Sequence, residues 1–220
     1  MAESSTGTVD SAPTPAAQGR RTRILQSTVS VVRERGFAGT RVTDIAKHAD
    51  TSAGLVLYHF GSLQGALTAA LTAAENSFYT ELEQMLAIAS SPVVRLRSMA
   101  ELAAGYGPAV GDWVLWLELW VRALRDQEAR AARESLDQRW RAALAAVIQE
   151  GVTGGDFTVA DPPTATTRLT SLMDGLAIQL ALGDPGIDVE RFRELWLESA
   201  ALELGAPALT EPTRHRASSE

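Results

Sequence analysis

Several features are missing from this 220-residue sequence, and each absence excludes a class of protein. There is no cysteine, which excludes disulfides and cysteine-based metal or nucleophile chemistry. No apolar run reaches the roughly 18 residues that a transmembrane helix needs. The N-terminus also lacks the charged-then-apolar order of a secretory signal. We therefore expect a cytoplasmic protein that contacts no membrane.

Residue patterns typical of catalysis are missing as well. The three histidines, His48, His59 and His215, do not cluster in the sequence. There is no His-x-x-x-His, Glu-x-x-His or glycine-rich phosphate loop. The sequence therefore predicts a protein that is not an enzyme and has no catalytic residues, no metal site and no cofactor.

Strand-type alternation is also absent, whereas apolar residues recur at helical spacing almost throughout the chain. The first helix is predicted over Arg20–Arg35, with Gly36 as its stop. The others are predicted at Val42–Ala49, Ser52–His59, Ser62–Ala87, Pro92–Ala104, Pro108–Arg125, Glu128–Gln149, Thr164–Leu182 and Asp188–Leu204. The predicted fold is all-α: an N-terminal three-helix head with a helix-turn-helix, on a C-terminal antiparallel helical bundle.

The composition divides the chain into four parts. Residues 1–18 and 206–220 are polar and rich in small residues or proline, so we expect disordered tails. Residues 19–64 form the predicted helix-turn-helix domain, and residues 65–205 the predicted ligand-binding and dimerisation domain. Residues 19–61 carry a net charge of +4 within a chain of net charge −7. A local basic module on an acidic protein is typical of a surface that contacts nucleic-acid phosphates.

The stretch from Thr40 to Phe60 reads as two short helices joined by a tight turn. Because helices of about two turns are not stable alone, Ile45, Ala49 and Val56 should form a shared core. Asp50 lies at the turn, where the backbone usually needs a positive φ that aspartate tolerates. Ser52 is then the cap of the second, recognition helix.

This geometry places Ser52, Ala53, Leu55 and Leu57 on the groove-facing side, with the apolar side chains against thymine methyl groups. Thr43, Tyr58 and His59 are candidates for phosphate hydrogen bonds, and the arginines supply charge for the DNA backbone. The predicted DNA-binding residues are Arg20, Arg21, Arg23, Arg41, Thr43, Thr51, Ser52, Ala53, Leu55, Leu57, Tyr58 and His59.

The spacing of this region resembles the DNA-binding signature of the tetracycline-repressor (TetR) family. The matching pattern is Gly36-Phe37-x-x-Thr40-x-Val42-x-x-Ile45-Ala46-x-x-Ala49, then Ser52-x-Gly54-x-Val56-x-Tyr58-His59-Phe60-x-Ser62. The resemblance implies a DNA-binding transcriptional repressor that a small-molecule inducer releases from its double-stranded operator. It also implies a homodimer, because two recognition helices must reach successive major grooves roughly 34 Å apart, or a multiple of that.

Four residues depart from the family pattern. Asp50-Thr51 stands where the family usually has Gly-Val, Leu57 where it has Tyr, and Leu63 where it has Lys. That lysine commonly meets a phosphate, so Leu63 should make DNA binding less dependent on salt. These departures motivate an alternative: a related helical ligand-binding or scaffold protein that has lost DNA binding.

The segment Asp112–Leu124 is unusual because three tryptophans, Trp113, Trp116 and Trp120, fall on one helical face. Such a stripe is more often part of a packed core, but it also suits indole faces that enclose a cationic or hydrogen-bonding ligand. Glu118 lies in the same run, and its carboxylate would either pair with Arg122 or Arg125 or meet that ligand.

The C-terminal half resembles, more loosely, the choline-responsive (BetI-type) repressors of the same family. The similar features are Tyr106-x-Pro108, Asp112-Trp113, Trp116-x-Glu118-x-Trp120 and Leu172-x-Asp174-Gly175-Leu176. The resemblance implies a pocket lined by Phe78, Tyr79, Tyr106, Trp113, Trp116, Glu118, Trp120 and Asp174. Quaternary amines, polyamines and flat aromatic compounds suit the tryptophan cluster equally well.

The last two helices carry many apolar residues, which predicts either a closed monomer core or, as the family resemblance implies, a two-fold dimer interface. The predicted interface residues are Leu169, Leu172, Met173, Leu176, Leu180, Phe192, Leu195, Trp196 and Leu202.

Overall fold

The computed structural model describes residues 15–105 and 112–211 and is all-α across that range, as predicted. The described residues contain nine α-helices and a short 3-10 turn, and no strand. The helices are α1 Pro15–Gly39, α2 Val42–His48, α3 Ala53–Phe60, α4 Leu63–Ile88, α5 Pro92–Ala103, α6 Asp112–Ala123, α7 Gln127–Gly154, α8 Pro162–Leu182 and α9 Val189–Leu204. No helix among them is long and apolar enough to cross a bilayer.

The chain divides into two compact units, here called the N-terminal unit (described from residue 15 to Leu71) and the C-terminal unit (from Thr72 to residue 211). The N-terminal unit has a small aliphatic core. Ile24, Ile45 and Val56 are almost fully buried in it, one from each of the first three helices. Because each short helix contributes only about two turns, this shared core is what holds the three together.

The first helix differs from its predicted bounds at both ends. It begins at Pro15, so residues 15–18 are helical and the tail predicted there is wrong for them; residues 1–14 lie outside the described range. Gly36 breaks the helical geometry at φ 68°, as expected of the predicted stop, but the chain resumes a turn that ends at Gly39. Thr40 then donates its hydroxyl to the carbonyl of Gly36 over 2.7 Å.

The C-terminal unit has a larger and more aromatic core. Within it α6 packs against α7, α7 against α8, and α8 against α9, while α5 contacts both α7 and α9. Phe192 and Trp196 of α9 are fully buried, and the indole Nε1 of Trp196 donates to the carbonyl of Leu169 over 3.0 Å. This polar link between α8 and α9 satisfies a donor that would otherwise be buried without a partner.

Helix α7 runs past its predicted end at Gln149. The sequence suggests Gly151 and the Gly154-Gly155 pair as its stop; Gly151 lies inside the helix, whereas Gly155, with φ 80°, ends it as predicted. A Cβ atom on Gly151 would lie 2.1 Å from the ring of Phe157, so this glycine permits the ring to pack against the helix. Gly151 is therefore a packing residue and not a helix terminator.

The predicted C-terminal tail is wrong for residues 206–211, which are structured; the rest of that tail lies outside the described range. Pro207–Leu209 forms the 3-10 turn, and Leu209 is buried. The guanidinium of Arg97 on α5 donates to the backbone carbonyls of Ala208 and Leu209, at 2.6 and 3.3 Å. Burial of one leucine and these hydrogen bonds hold a segment whose composition alone suggested disorder.

Candidate DNA-binding surface and ligand cavity

The turn before the recognition helix α3 has the geometry that the sequence predicted. Asp50 has a φ of 51°, the one positive value at a non-glycine residue in the described range. Ser52 caps α3 by accepting a hydrogen bond from the backbone N–H of Leu55 over 3.1 Å. Ala49 and Val56 are buried on either side of the turn, so the core fixes how α2 and α3 cross.

The outer face of α3 is open to solvent. Tyr58 is 82% exposed and Leu57 is 42% exposed, although both have large side chains. Ser52 is exposed as well, whereas Leu55 and His59 are half-buried. An accessible helix face with an exposed N-terminal turn is what a major-groove reader requires.

The other DNA-binding candidates are distributed over α1, α2 and the turn. Arg20, Arg21, Arg23, Arg41 and Thr43 are exposed, which contact with DNA phosphates would require. The guanidinium of Arg21 lies 5.3 Å from the centroid of the Phe60 ring. Two further candidates are half-buried: Thr51 in the turn, and Ala53, which packs against the core of the unit.

Leu63, where the family usually has lysine, packs against the same core at the start of α4. The neighbouring Ser62 caps this helix by accepting from the backbone N–H of Gly65 over 2.9 Å. A Cβ atom on Gly65 would lie 2.2 Å from the carbonyl oxygen of Phe60, so only glycine fits there. The corner between α3 and α4 is thus tightly packed, and Leu63 contributes an apolar contact in place of a charge.

The C-terminal unit contains a cavity whose open space, including its mouth, is about 640 Å³. Helices α4 to α8 all contribute to its wall. The lining side chains are Glu75, Phe78, Tyr79, Leu102, Ala103, Trp113, Trp116, Trp120, Asp137, Trp140, Thr170, Met173 and Asp174.

Six aromatic rings form much of this wall. Trp116 and Trp120 lie edge to face, with their ring centroids 6.3 Å apart. Phe78 packs against Trp140 at 6.2 Å and edge-on against Tyr79 at 5.2 Å. The Nε1 of Trp113 donates to the carbonyl of Ala103 over 3.0 Å, which fixes that indole. Such faces carry a negative quadrupole potential and attract cations.

Three carboxyl groups belong to the same wall, from Glu75, Asp137 and Asp174. Asp137 pairs with Arg133, one turn earlier on α7, over 2.6 Å. Burial, together with the nearby charge of Asp137, raises the pKa of Asp174 to about 6, although Arg141 and Arg133 act in the opposite direction. Burial and the charge of Glu75 raise the pKa of the Tyr79 phenol above its ordinary value. Acidic groups beside aromatic faces suit a positively charged ligand.

Not every predicted pocket residue lines the cavity. Phe78, Tyr79, Trp113, Trp116, Trp120 and Asp174 do line it. Glu118 does not: it lies roughly opposite the tryptophan face of α6, since residues two apart on a helix point to different sides. Arg122, one of the two arginines predicted to pair with Glu118, pairs with Asp126 over 3.1 Å. Tyr106 lies outside the described residues.

Sequence reasoning missed four polar or aromatic wall residues, Glu75, Asp137, Trp140 and Thr170. None lies near the tryptophan-rich segment in sequence, and they come from three different helices. The one available signal was Trp140, a large aromatic residue within the otherwise charged stretch of α7.

Two family models match the chain. Residues 24–69 match that of bacterial regulatory proteins of the tetR family, and residues 92–205 match that of the BetI-type transcriptional repressor, C-terminal. The second match alone covers more than half of the 220 residues. The chain belongs to the TetR family of transcriptional regulators. Members of this family are typically not enzymes.

Similar proteins agree with this membership. The TetR-family chain is 26% identical over 179 residues to the HTH-type transcriptional regulator BetI of Burkholderia thailandensis, covering 78% of this chain and 86% of that protein. It is 26% identical over 186 residues to BetI 2 of Chromohalobacter salexigens, covering 80% and 84%. A solved transcriptional regulator from Saccharomonospora viridis in complex with choline is 28% identical, with a TM-score of 0.78 over 82% of this chain and 95% of that one.

The predicted dimer residues of this TetR-family chain fall into two groups. Leu169, Met173, Leu176, Phe192 and Trp196 are buried within the C-terminal unit, so they pack its own core and cannot form an interface. Leu172, Leu180 and Leu195 are half-buried, and Leu202 is 87% exposed. The prediction is therefore wrong for the first five, because helical spacing does not distinguish the inner from the outer apolar face.

Proposed function

We propose that this regulator represses transcription by binding operator DNA as a homodimer through α3, and that a cationic small molecule in the cavity releases it. The observation that carries the proposal is the cavity wall, which combines six aromatic rings with three carboxyl groups. The ligand class we favour is a quaternary ammonium compound, since such cations bind between aromatic faces without needing hydrogen bonds of their own.

Support for the DNA-binding part comes from the exposed face of α3. A tyrosine that is 82% exposed at the end of a recognition helix contributes nothing to the core and is available to a phosphate. Arg20, Arg21, Arg23 and Arg41 add positive charge to the same unit. The tight turn at Asp50 presents the N-terminal turn of α3 outward.

Two observations support a cationic ligand. Carboxyl groups next to aromatic faces attract a permanent cation, whereas they offer a flat neutral aromatic compound no such attraction. The similar regulator from Saccharomonospora viridis was solved with choline, which makes choline the first compound to test. A ligand shifts the DNA-binding equilibrium only by its difference in affinity for the two states, typically about 1–3 kcal/mol.

The dimer is supported by the outer face of α8 and α9. Leu182 and Leu202 are large apolar residues left exposed there. Gly175 lies in the middle of α8, and a Cβ atom on it would meet nothing within 4 Å. Glycine weakens a helix interior by about 1 kcal/mol relative to alanine, and it lets another helix approach closely. We propose that a second copy packs here.

A gel-shift assay with DNA from upstream of the gene tests the proposal, at two salt concentrations and with increasing choline. We expect saturable binding that weakens with salt and is released by choline. Tyr58→Ala should lower DNA affinity about twofold to tenfold, the value of one hydrogen bond, and leave choline binding intact. Asp174→Asn should retain DNA binding and weaken choline binding by about tenfold.

Two outcomes contradict the proposal separately. If the protein binds no DNA at either salt concentration, the scaffold alternative is favoured. If choline and tetramethylammonium both leave the tryptophan fluorescence and the calorimetric baseline unchanged, the cavity does not bind quaternary ammonium compounds. Sedimentation of the Gly175→Leu variant tests the dimer, because a large side chain at a close helix contact should produce monomers.

A further inference from the structure

An arginine of α1 lies over an aromatic ring at the end of the recognition helix. The guanidinium of Arg21 is 5.3 Å from the ring centroid of Phe60, the last residue of α3. Arg21 is exposed, whereas Phe60 is half-buried against the core of the N-terminal unit. The quadrupole of the ring attracts the cation, while the guanidinium N–H groups remain available to an anion.

The ring that holds Arg21 is itself fixed by the tight corner between α3 and α4. The carbonyl of Phe60 accepts a hydrogen bond from the backbone N–H of Ser62 over 2.8 Å. A Cβ atom on Gly65 would lie 2.2 Å from the same oxygen, so the first turn of α4 packs directly against the end of α3. Backbone contacts and core packing therefore set the position of this ring relative to the exposed Tyr58.

The arginines of α1 differ in whether a carboxylate already pairs with their charge. Arg35 pairs with Asp44 of α2 over 3.0 Å, so its charge holds two helices together. Within the described part of the chain, Arg21 has the ring of Phe60 as its neighbour and no carboxylate partner. Leu63, at the start of α4, adds no charge to this corner, because its side chain packs against the core. Arg21 therefore supplies positive charge to the corner between α3 and α4.

We propose that Arg21, held over the ring of Phe60, binds a DNA phosphate at the end of the recognition helix and replaces the cation that Leu63 does not supply. The inference rests on the DNA binding proposed above and names the residue pair that makes this contact. An exposed arginine loses conformational entropy when it binds a phosphate, and contact with a fixed ring reduces that loss. The weaker salt dependence expected from Leu63 is then offset, because this phosphate is still neutralised.

The test measures the affinity of the full-length protein for DNA from upstream of the gene, by fluorescence anisotropy over a range of salt concentrations. Arg21→Ala should weaken binding by about tenfold, the value of one hydrogen bond to a charged group. The slope of log affinity against log salt should fall in magnitude by about one per lost contact, or about two for a homodimer on two half-sites. Arg21→Lys should keep the slope but lose affinity by about threefold, because an ammonium group does not bind a phosphate bidentately.

Phe60→Leu tests the positioning role of the ring, since leucine preserves apolar packing and removes the aromatic face. It should weaken DNA binding by about threefold, as expected for one cation–π contact, and leave the salt slope unchanged. In the Arg21→Ala background the same substitution should have no further effect on affinity. An equal loss in both backgrounds would show a packing effect alone and would overturn the role of the ring.

Leu63→Lys tests whether positions 21 and 63 serve the same phosphate, because a lysine there extends from the same corner. It should return the affinity and salt slope of Arg21→Ala nearly to those of the wild type, and raise the affinity of the wild type by about twofold at most. Arg20→Ala is the matched control, since Arg20 lies about 100° around α1 from Arg21. Leu63→Lys should raise the affinity of Arg20→Ala no more than that of the wild type. Circular dichroism checks that each variant is folded, and this comparison needs no change at Phe60.

The outcomes separate this inference from the proposed function. If the wild type binds no DNA, both are overturned. If Arg21→Ala changes neither the affinity nor the salt slope of a wild type that does bind DNA, the inference fails and the proposed function stands. An equal gain from Leu63→Lys in the wild type and in Arg21→Ala would show that the two positions meet different phosphates, and would overturn the inference as well.

Discussion

The two units of this protein use helices in opposite ways. In the N-terminal unit the core consists of small aliphatic residues such as Ile45 and Val56, and most of the candidate functional side chains, such as Arg41 and Tyr58, are exposed to solvent. In the C-terminal unit the candidate functional side chains point inward, and Trp140 belongs to both the core and the cavity wall. Function therefore depends on short-range geometry in the first unit and on long-range packing in the second.

This difference explains why the functional residues of the N-terminal unit are easier to predict from sequence than those of the C-terminal unit. A recognition helix is defined by a turn, a cap and a few apolar positions within about 20 residues, so each signal lies next to the others. A buried cavity is defined by side chains that meet only after five helices have packed. Substitutions should therefore act locally in the N-terminal unit and through distant contacts in the C-terminal unit.

The largest effect that we expect is at Gly151, where a distant contact overrides helix propensity. Gly151→Ala improves intrinsic helix propensity, yet its Cβ atom would lie 2.1 Å from the Phe157 ring. We expect a net loss of about 2 kcal/mol in the free energy of unfolding, as for other overpacked cores. Chemical denaturation followed by circular dichroism measures it.

Gly154→Ala, in the same helix, is the matched control. Its Cβ atom would meet only the carboxylate of Asp156, at 3.5 Å, which is an ordinary contact. This variant should be as stable as the wild type or more stable, by up to about 1 kcal/mol. If both alanine variants behave alike, packing against Phe157 does not control this helix.

A smaller effect on stability should appear at Asp174, because burial disfavours the charged form of its carboxyl group. The pKa of this carboxyl is about 6 in the folded protein and 3.8 in an unfolded chain, so the folded state binds the proton more tightly. Stability without ligand should therefore fall as pH rises from about 4 to about 6. Asp174→Asn should be more stable at pH 7 by up to about 2 kcal/mol, allowing for partial solvation, and the gain should disappear below pH 4.

Asp161, the cap of α8, is a control of opposite sign. Hydrogen bonds from the Thr164 hydroxyl and backbone N–H lower the pKa of the Asp161 carboxyl. Its contribution to stability is present above the ordinary pKa of aspartate and is lost as pH falls. Asp161→Ala should therefore be destabilised at pH 7, with a loss that shrinks in acid. Thermal melts of both variants from about pH 2 to pH 7 measure these effects. Changes in Tm at pH 7 that have the same sign in the two variants would contradict these assignments.

The smallest expected change in stability is at Asp50, where the backbone strain is confined to one turn. Its φ of 51° is strained for most side chains but not for glycine. Asp50→Gly should be neutral or stabilising by less than about 1 kcal/mol, whereas Asp50→Ala should lose about 1 kcal/mol. Urea denaturation distinguishes the two, and an alanine variant as stable as the glycine variant would show that the turn relaxes.

Most of the N-terminal unit could be predicted from its sequence. The positive φ at Asp50, the cap at Ser52 and the burial of Ile45, Ala49 and Val56 all follow from residues within one turn of each other. The start of α1 at Pro15 was not predicted, because a small-residue segment gives no periodic signal.

The C-terminal unit was predicted only in outline. The tryptophan face of α6 indicated a cavity wall, but Glu118, assigned to that wall from the family resemblance, does not line the cavity. The buried positions of Leu169 and Phe192 were read as an interface, since apolar spacing is the same for both faces of a packed helix. Leu209 was assigned to a tail, because its burial depends on where α5 and α9 lie.

The sequence by itself determined the helices, their approximate ends, the helix-turn-helix and the family, because these depend on interactions between residues close together in the chain. Only the tertiary structure decided which side chains share the cavity and which apolar residues are core. Those properties depend on how five helices pack. Glu75 and Asp174 line the same cavity but lie far apart in sequence, so no local sequence pattern predicts that they are close in space.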